Sequence, residues 1–289
     1  MTERPLAGRV AIVTGASRGV GKGIAVGLGA AGATVYVTGR SMNPGDGPVV
    51  FNERLPGTVG DTAETIEQAG GKGIAVALDH RDDNAVEALF RRVDEEQGRL
   101  DILVNNAFLV PPELLSGLPF WEQPIRIWDD MTDVGVRSHF VCSVLGAQRM
   151  VRQNSGLIVN TSSPGGGRFS LTTAYGVGKA AVDRMTFDTA HELRPHNVAV
   201  VSIWLGLINP ERTQVAARNV EQFDVSTAES PGFVGRGVAA LAADPNVIRH
   251  SGEVIYSAEL ADLYGVREDE GRKPASLRPS WGDPPRYRA

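Results

Sequence analysis

The chain of 289 residues is poor in cysteine, in aromatic residues and in long apolar runs. Its one cysteine, Cys142, excludes a disulfide framework or a cysteine metal site within one chain. It lies in the apolar run "FVCSVLGA" and reads as a buried structural thiol. No apolar stretch is long enough to span a bilayer. The start, "MTERPLAGRV", lacks the apolar core of a secretory signal, so a cytoplasmic location is expected. An excess of positive charge is also missing: the net charge is −5, which argues against nucleic acid as a partner. No internal repeat is visible.

Glycine, by contrast, is abundant, and much of it sits where short apolar runs give way to helical periodicity. Runs at 9–15, 34–40, 73–79, 101–107, 156–163, 198–206 and 252–257 read as seven strands. Between them lie helical patterns at 19–32, 84–98, 124–152 and 173–193, the last stopped near Pro195. Near-continuous apolar strands alternating with helices predict an α/β protein with one doubly wound, seven-stranded parallel sheet. Residues 1–260 form the expected Rossmann-fold catalytic domain and 261–289 a C-terminal extension, surface-packed or partly disordered. Residues 41–60, rich in Pro and Gly, read as a long loop of functional or disordered kind.

Two blocks carry chemistry. "TGASRGVG" (14–21) places Gly15, Gly19 and Gly21 between the first strand and first helix, where free N–H groups suit a pyrophosphate. The same stretch contains "GASRG", a match to the hydrolase nucleophile elbow with Ser17 as nucleophile. That reading fails because nothing upstream of the chain's first strand can supply the second oxyanion donor. The second block, "SSPGGGRFSLTTAYGVGK", sets Tyr175 four residues before Lys179, on one helix face. A free phenol titrates near pH 10, roughly, and a nearby ammonium favours its phenolate. "HELRPH" begins like a zinc helix, but Pro195 stands where the second histidine belongs. No metal is expected. "NTS" at Asn160 is a glycosylation sequon only on paper.

Taken with "NNA" (105–107), these motifs resemble the short-chain dehydrogenase/reductase family over about residues 5–260. A narrower likeness, to its dehydrogenase/reductase member 1-like group, rests on "ATVYVTGR", "FWEQP", "SSPGG", "YGVGKAA" and "SGEVIYSAELADLYGVRE". The resemblance implies an oxidoreductase passing a hydride between NADP(H) and a carbonyl or alcohol substrate. Tyr175 would be the proton donor, and Lys179 would hold the nicotinamide ribose and lower the phenol's pKa. Ser163, twelve residues before Tyr175, is preferred to Ser162, thirteen before it, as the serine that binds the carbonyl oxygen. The glycine turn with Ser17, Arg18 and Val20 would cradle the cofactor. Asn106, Ala107 and Ile208 would line it, with Asp79 at the adenine. Arg40, directly after the second strand, and Arg18 favour NADP(H) over NAD(H), whose ribose calls for an acidic residue there.

Several positions depart from the family pattern. Gly135 stands in place of an asparagine, Phe108 follows "NNA" in place of glycine, and Leu205 and Pro210 alter the substrate loop. These departures leave room for a second reading, an NADP(H)-binding sensor or scaffold with weakened catalysis. Phe108, Trp121, Trp204 and Phe223 suggest an apolar pocket, or else core. Apolar residues on the long helices, Phe140, Val141, Val144 and Leu145, predict a homo-oligomer.

Overall fold

The structure is a computed structural model, which describes residues 4–219 and 225–288. Seven strands form one parallel sheet: β1 (Val10–Val13), β2 (Thr34–Gly39), β5 (Lys72–Ala77), β6 (Ile102–Asn105), β7 (Gly156–Ser162), β8 (Val198–Trp204) and β9 (Val254–Tyr256). Their order across the sheet is β5-β2-β1-β6-β7-β8-β9. β1, β6 and β8 are buried at every residue, as strands covered on both faces must be. The expected seven-stranded doubly wound fold is therefore observed.

Helices cover both faces. On one, α1 (Gly19–Ala30) packs with α8 (Pro231–Ala243), placing Ile24, Leu28, Phe233 and Val238 over Val13, Val35 and Val104. On the other, α3 (Asp83–Gln97) and α5 (Ser138–Gln153) bring Phe90, Val93, Cys142 and Met150 against Ile12, Leu103 and Ile158. Each such side chain removed from water contributes about 1.5–3 kcal/mol. α2 (Val59–Gln68) is closed by a reciprocal cap: Thr58 accepts from the Asp61 N–H while Asp61 accepts from the Thr58 N–H.

The direction of winding across the sheet reverses between β1 and β6, because β2 and β5 build outward on one side and β6 to β9 on the other. Ligands of such sheets bind at the strand C-termini by that reversal. α6 (Thr173–Leu193) supplies one wall there. Its first turn is capped by Thr172, which accepts from the Tyr175 N–H, and Pro195 ends it in a short 3₁₀ turn.

Two expectations change in detail, and the C-terminal extension takes the surface-packed one of its two expected forms. The helix expected over 124–152 is two, α4 (Arg126–Thr132) and α5, joined by a π-type turn at Asp133–Arg137. Gly135 makes the kink, at φ 155°, where a side chain is strained. The loop over 41–60 contains a hairpin, β3 (Val49–Val50) with β4 (Glu53–Arg54), whose turn puts Phe51 and Asn52 at positive φ. The C-terminal extension packs back, through α9 (Ser257–Leu263) and α10 (Arg278–Trp281). Tyr256 Oη donates to the Gly282 carbonyl at 2.9 Å, Arg278 pairs with Glu259 at 2.6 Å, and Tyr287 stacks on Phe187.

Candidate active site

Beyond β1 the chain turns sharply at Gly15, whose φ is 64°. A Cβ there would stand 2.7 Å from the Ala107 Cα, so only glycine lets the turn approach the end of β6. Thr14 Oγ1 accepts the N–H groups of Asn106 (2.8 Å) and Ala107 (2.9 Å). Asn106 Nδ2 donates back to the carbonyls of Thr14 (2.9 Å) and Gly15 (3.1 Å). The glycine turn and the "NNA" strand end are thus one hydrogen-bonded unit.

The first turn of α1 has no side-chain cap at Arg18. Instead the Gly19 N–H donates to Glu211 Oε2 at 2.9 Å, from α7 (Glu211–Asn219). A helix N-terminus attracts an anion, and this one draws a carboxylate from its own chain. The turn opens on a cleft of about 870 Å³, lined by Gly15, Ser17, Arg18, Gly19, Val20, Gly21, Asn106, Ala107 and Ile208 at one end. A nicotinamide dinucleotide therefore fits the residues present.

Arg40 and Asp79 line the same cleft. Arg40 is half exposed and touches Asp79 only at 4.0 Å, whereas Arg81 holds Asp79 at 2.6 Å and keeps its carboxyl below the usual range. Asp79 does not cap α3; Asp82 does, accepting from the Ala85 N–H. Arg18 lines the cleft and also holds a loop. Its guanidinium donates to Pro56 O (2.9 Å), Gly57 O (2.6 Å) and Ser41 Oγ (2.8 Å), anchoring the 41–57 loop. The loop's hairpin reaches α7, where Glu53 pairs with Arg218 at 2.7 Å. Arg212 also lines the cleft; burial and then Arg18's like charge lower its pKa. Sequence reading missed Arg212 and Glu211, although two adjacent charges follow Pro210 in a loop already tied to the substrate.

Across the cleft, Tyr175 Oη donates to Ser163 Oγ at 2.7 Å. Ser162 points away, its Oγ donating to the Lys179 carbonyl at 3.3 Å, so geometry brings Ser163 and not Ser162 against the phenol. Ser163 Oγ also accepts from the Gly165 N–H, and a Cβ on Gly165 would meet the Tyr175 ring at 2.6 Å. The "PGG" turn therefore packs closely against the ring at Gly165. Lys179 is buried, its Nζ donating to the Thr161 carbonyl at 3.4 Å. One helical turn further, fully buried Asp183 accepts from Ser202 Oγ (2.7 Å) and Trp204 Nε1 (2.8 Å). Sequence reading missed Asp183; the signal that could have found it is its spacing from Lys179 in the otherwise apolar "KAAVD".

The electrostatics correct one expectation. Tyr175 is raised above the ordinary phenol value, not lowered. Burial dominates, and only the Ser163 hydrogen bond opposes it. Burial also lowers Lys179 to about 8, against the pull of Asp183, and raises Asp183 to about 6. Burial raises Cys142 to about 12, which leaves it inert as expected.

Of the aromatic residues suggested for the pocket, Phe108 lines the cleft. Trp204 is fully buried in β8, and Trp121 is 70% exposed on a short turn outside the lining. Phe223 lies outside the described residues. Leu109, Val110, Leu171, Leu205 and Leu207 also line the cleft. On α5, Phe140 and Val144 are exposed, while Val141 and Leu145 pack on the chain's own core.

The short chain dehydrogenase family matches residues 9–221, and the chain belongs to that family of oxidoreductases, whose members bind nicotinamide cofactors. Within it, the chain is 44% identical over 281 residues to dehydrogenase/reductase SDR family member 1 of Mus musculus, covering 93% of this chain and 85% of that one. The Homo sapiens protein of the same name is 43% identical with the same coverage. Among solved structures, a short-chain type dehydrogenase/reductase from Mycobacterium marinum superposes with a TM-score of 0.71 at 26% identity, covering 88% of this chain and 95% of that one.

Proposed function

We propose that this protein is an NADP(H)-dependent carbonyl reductase, acting on ketones or aldehydes and, in reverse, on their alcohols. The observation that carries the reading is the 2.7 Å contact of Tyr175 Oη with Ser163 Oγ, on the wall of the cleft whose far end is the glycine turn. The bound nicotinamide supplies or accepts the hydride. Tyr175 holds the proton at Oη, Ser163 offers its hydroxyl to the carbonyl oxygen, and Lys179 presents its ammonium to the cofactor ribose. A phenol raised by burial keeps its proton at neutral pH, the state that reduction needs, although it gives that proton up less readily than a free phenol. Oxidation needs the phenolate and should therefore rise only toward alkaline pH.

Arg40 supports NADP(H), being a half-exposed cation directly after β2 whose ion pair with Asp79 is long, at 4.0 Å. Arg18, Gly15, Ser17, Gly19, Val20, Gly21, Asp79, Asn106, Ala107 and Ile208 complete the cofactor wall in this reading. The leucine- and valine-lined end, with Phe108, supports an uncharged apolar carbonyl compound as substrate. Exposed Phe140 and Val144 support a homo-oligomer through α5; light scattering that shows only monomer at micromolar concentration contradicts it.

The test is a panel of ketones and aldehydes, charged and neutral, followed by NADPH absorbance, with NADH in parallel. Turnover of neutral apolar carbonyls with NADPH supports the reading. NADPH binding without turnover of any of them favours the sensor or scaffold reading instead.

A further inference from the structure

Two residues that break the family pattern meet beside Lys179. Phe108 leaves the end of β6, and Gly135 makes the kink between α4 and α5. A Cβ on Gly135 would stand 2.8 Å from Phe108 Cδ2 and 3.2 Å from Cε2. The Phe108 ring therefore occupies the room that any side chain at 135 would need. Its face lies under the Lys179 ammonium, with Nζ 4.4 Å from the ring centroid. Its neighbour Tyr175 meets it edge-on, with centroids 6.0 Å apart and planes at 74°.

An ammonium has three donors, and burying it without partners is costly. Lys179 is 7% exposed and has one carbonyl, Thr161 O, at the long distance of 3.4 Å. The nearer of two ring faces is that of Phe108, well inside the reach of about 6 Å over which such contacts act, while the Tyr175 ring stands at the edge of that reach, 5.8 Å from Nζ. One N–H on Thr161 and one over the ring leave a donor for the cleft that Lys179 lines. A flexible lysine stem is otherwise free to swing, and the ring is what fixes where the charge sits.

We propose that Phe108 is a positioning residue: its ring face holds the Lys179 ammonium in place for the cofactor ribose, and Gly135 is the glycine that makes room for that ring. The proposal rests on the reading that Lys179 serves the cofactor. It joins two departures, separate in sequence, into one device.

The test is a series of phenylalanines at position 108 carrying one, two and three ring fluorines. They keep the ring's size and weaken its attraction for a cation step by step. NADPH affinity is measured by fluorescence titration of the full chain, which needs no turnover. The expected result is a stepwise rise in Kd, about three- to thirtyfold in total, from the strength of a buried cation–π contact. Phe108→Tyr binds NADPH like the wild type while Phe108→Leu does not. In a Lys179→Met background the fluorines have no effect. A flat Kd across the series, or Phe108→Leu matching Phe108→Tyr, overturns the positioning role while leaving the proposed activity standing. Failure of the wild type to bind NADPH at all overturns the activity, and this inference with it.

Discussion

Replacing Asp183 with asparagine should make the protein more stable and its active site worse. Asp183 is fully buried and its folded pKa is raised from 3.8 to about 6. A carboxyl whose folded pKa lies above the unfolded one loses stability as pH rises between the two values, and the penalty is complete above the folded pKa. Two units at about 1.4 kcal/mol each put that penalty at about 3 kcal/mol above pH 6. Asparagine removes it and keeps both contacts, since its oxygen can accept from Trp204 Nε1 and its amide can donate to Ser202 Oγ. Lys179, however, loses the one charge that raises its pKa, and should fall below about 8. Its ammonium then deprotonates within the working range. Urea unfolding at pH 8 should show Asp183→Asn stabilised by about 1–3 kcal/mol. NADPH titrations from pH 6 to 9 should show its affinity failing at lower pH than the wild type's. The reasoning is refuted if the variant is less stable than the wild type at pH 8, or if the two affinity profiles coincide.

Arg40→Asp should lose about ten- to a hundredfold in NADPH affinity and little in NADH affinity, from one charge-assisted phosphate pair of about 1.5–3 kcal/mol; wild-type affinities that are equal for NADH and NADPH contradict this. Residues 41–57, tied down by Arg18 and by Glu53 with Arg218, should exchange amide hydrogens more slowly once NADPH is added, and Arg18→Ala should speed that exchange. Unchanged exchange argues against a cover over the adenosine end. Glu229, raised by burial to about 7 and bonded to Ser257, should cost stability as pH rises from 4.5 to about 7. Thermal melts across that window should fall for the wild type and stay flatter for Glu229→Gln, and parallel curves contradict the assignment.

The strands were readable because both faces of the sheet are covered, so each appears as an apolar run ending near a glycine. β3 and β4 were not, being two residues each and joined by Phe51–Asn52 rather than a glycine turn. The kink at Gly135 carries no proline, and a lone glycine inside a helical pattern does not announce a φ of 155°. Spacing alone left Ser162 and Ser163 open, because both end a strand and only packing against α6 turns one of them to Tyr175. The Tyr175–Lys179 pair was legible, but the direction of the phenol's shift was not. A sequence shows the ammonium and hides the burial, and burial wins. The loop contacts of Arg18 were hidden for a related reason: its position suggests a phosphate, and only the fold shows the three loop acceptors around it.

The most direct measurement is turnover by Tyr175→Phe on a confirmed carbonyl substrate, with NADPH affinity measured on the same preparation. The change removes one oxygen, keeps the ring against Phe108 and leaves Lys179 and the glycine turn intact. The account predicts that kcat falls by about 10²–10⁴-fold, the usual contribution of general acid catalysis, while the NADPH Kd changes little. Turnover near the wild-type rate would contradict it, and would make the Tyr175–Ser163 contact a structural one.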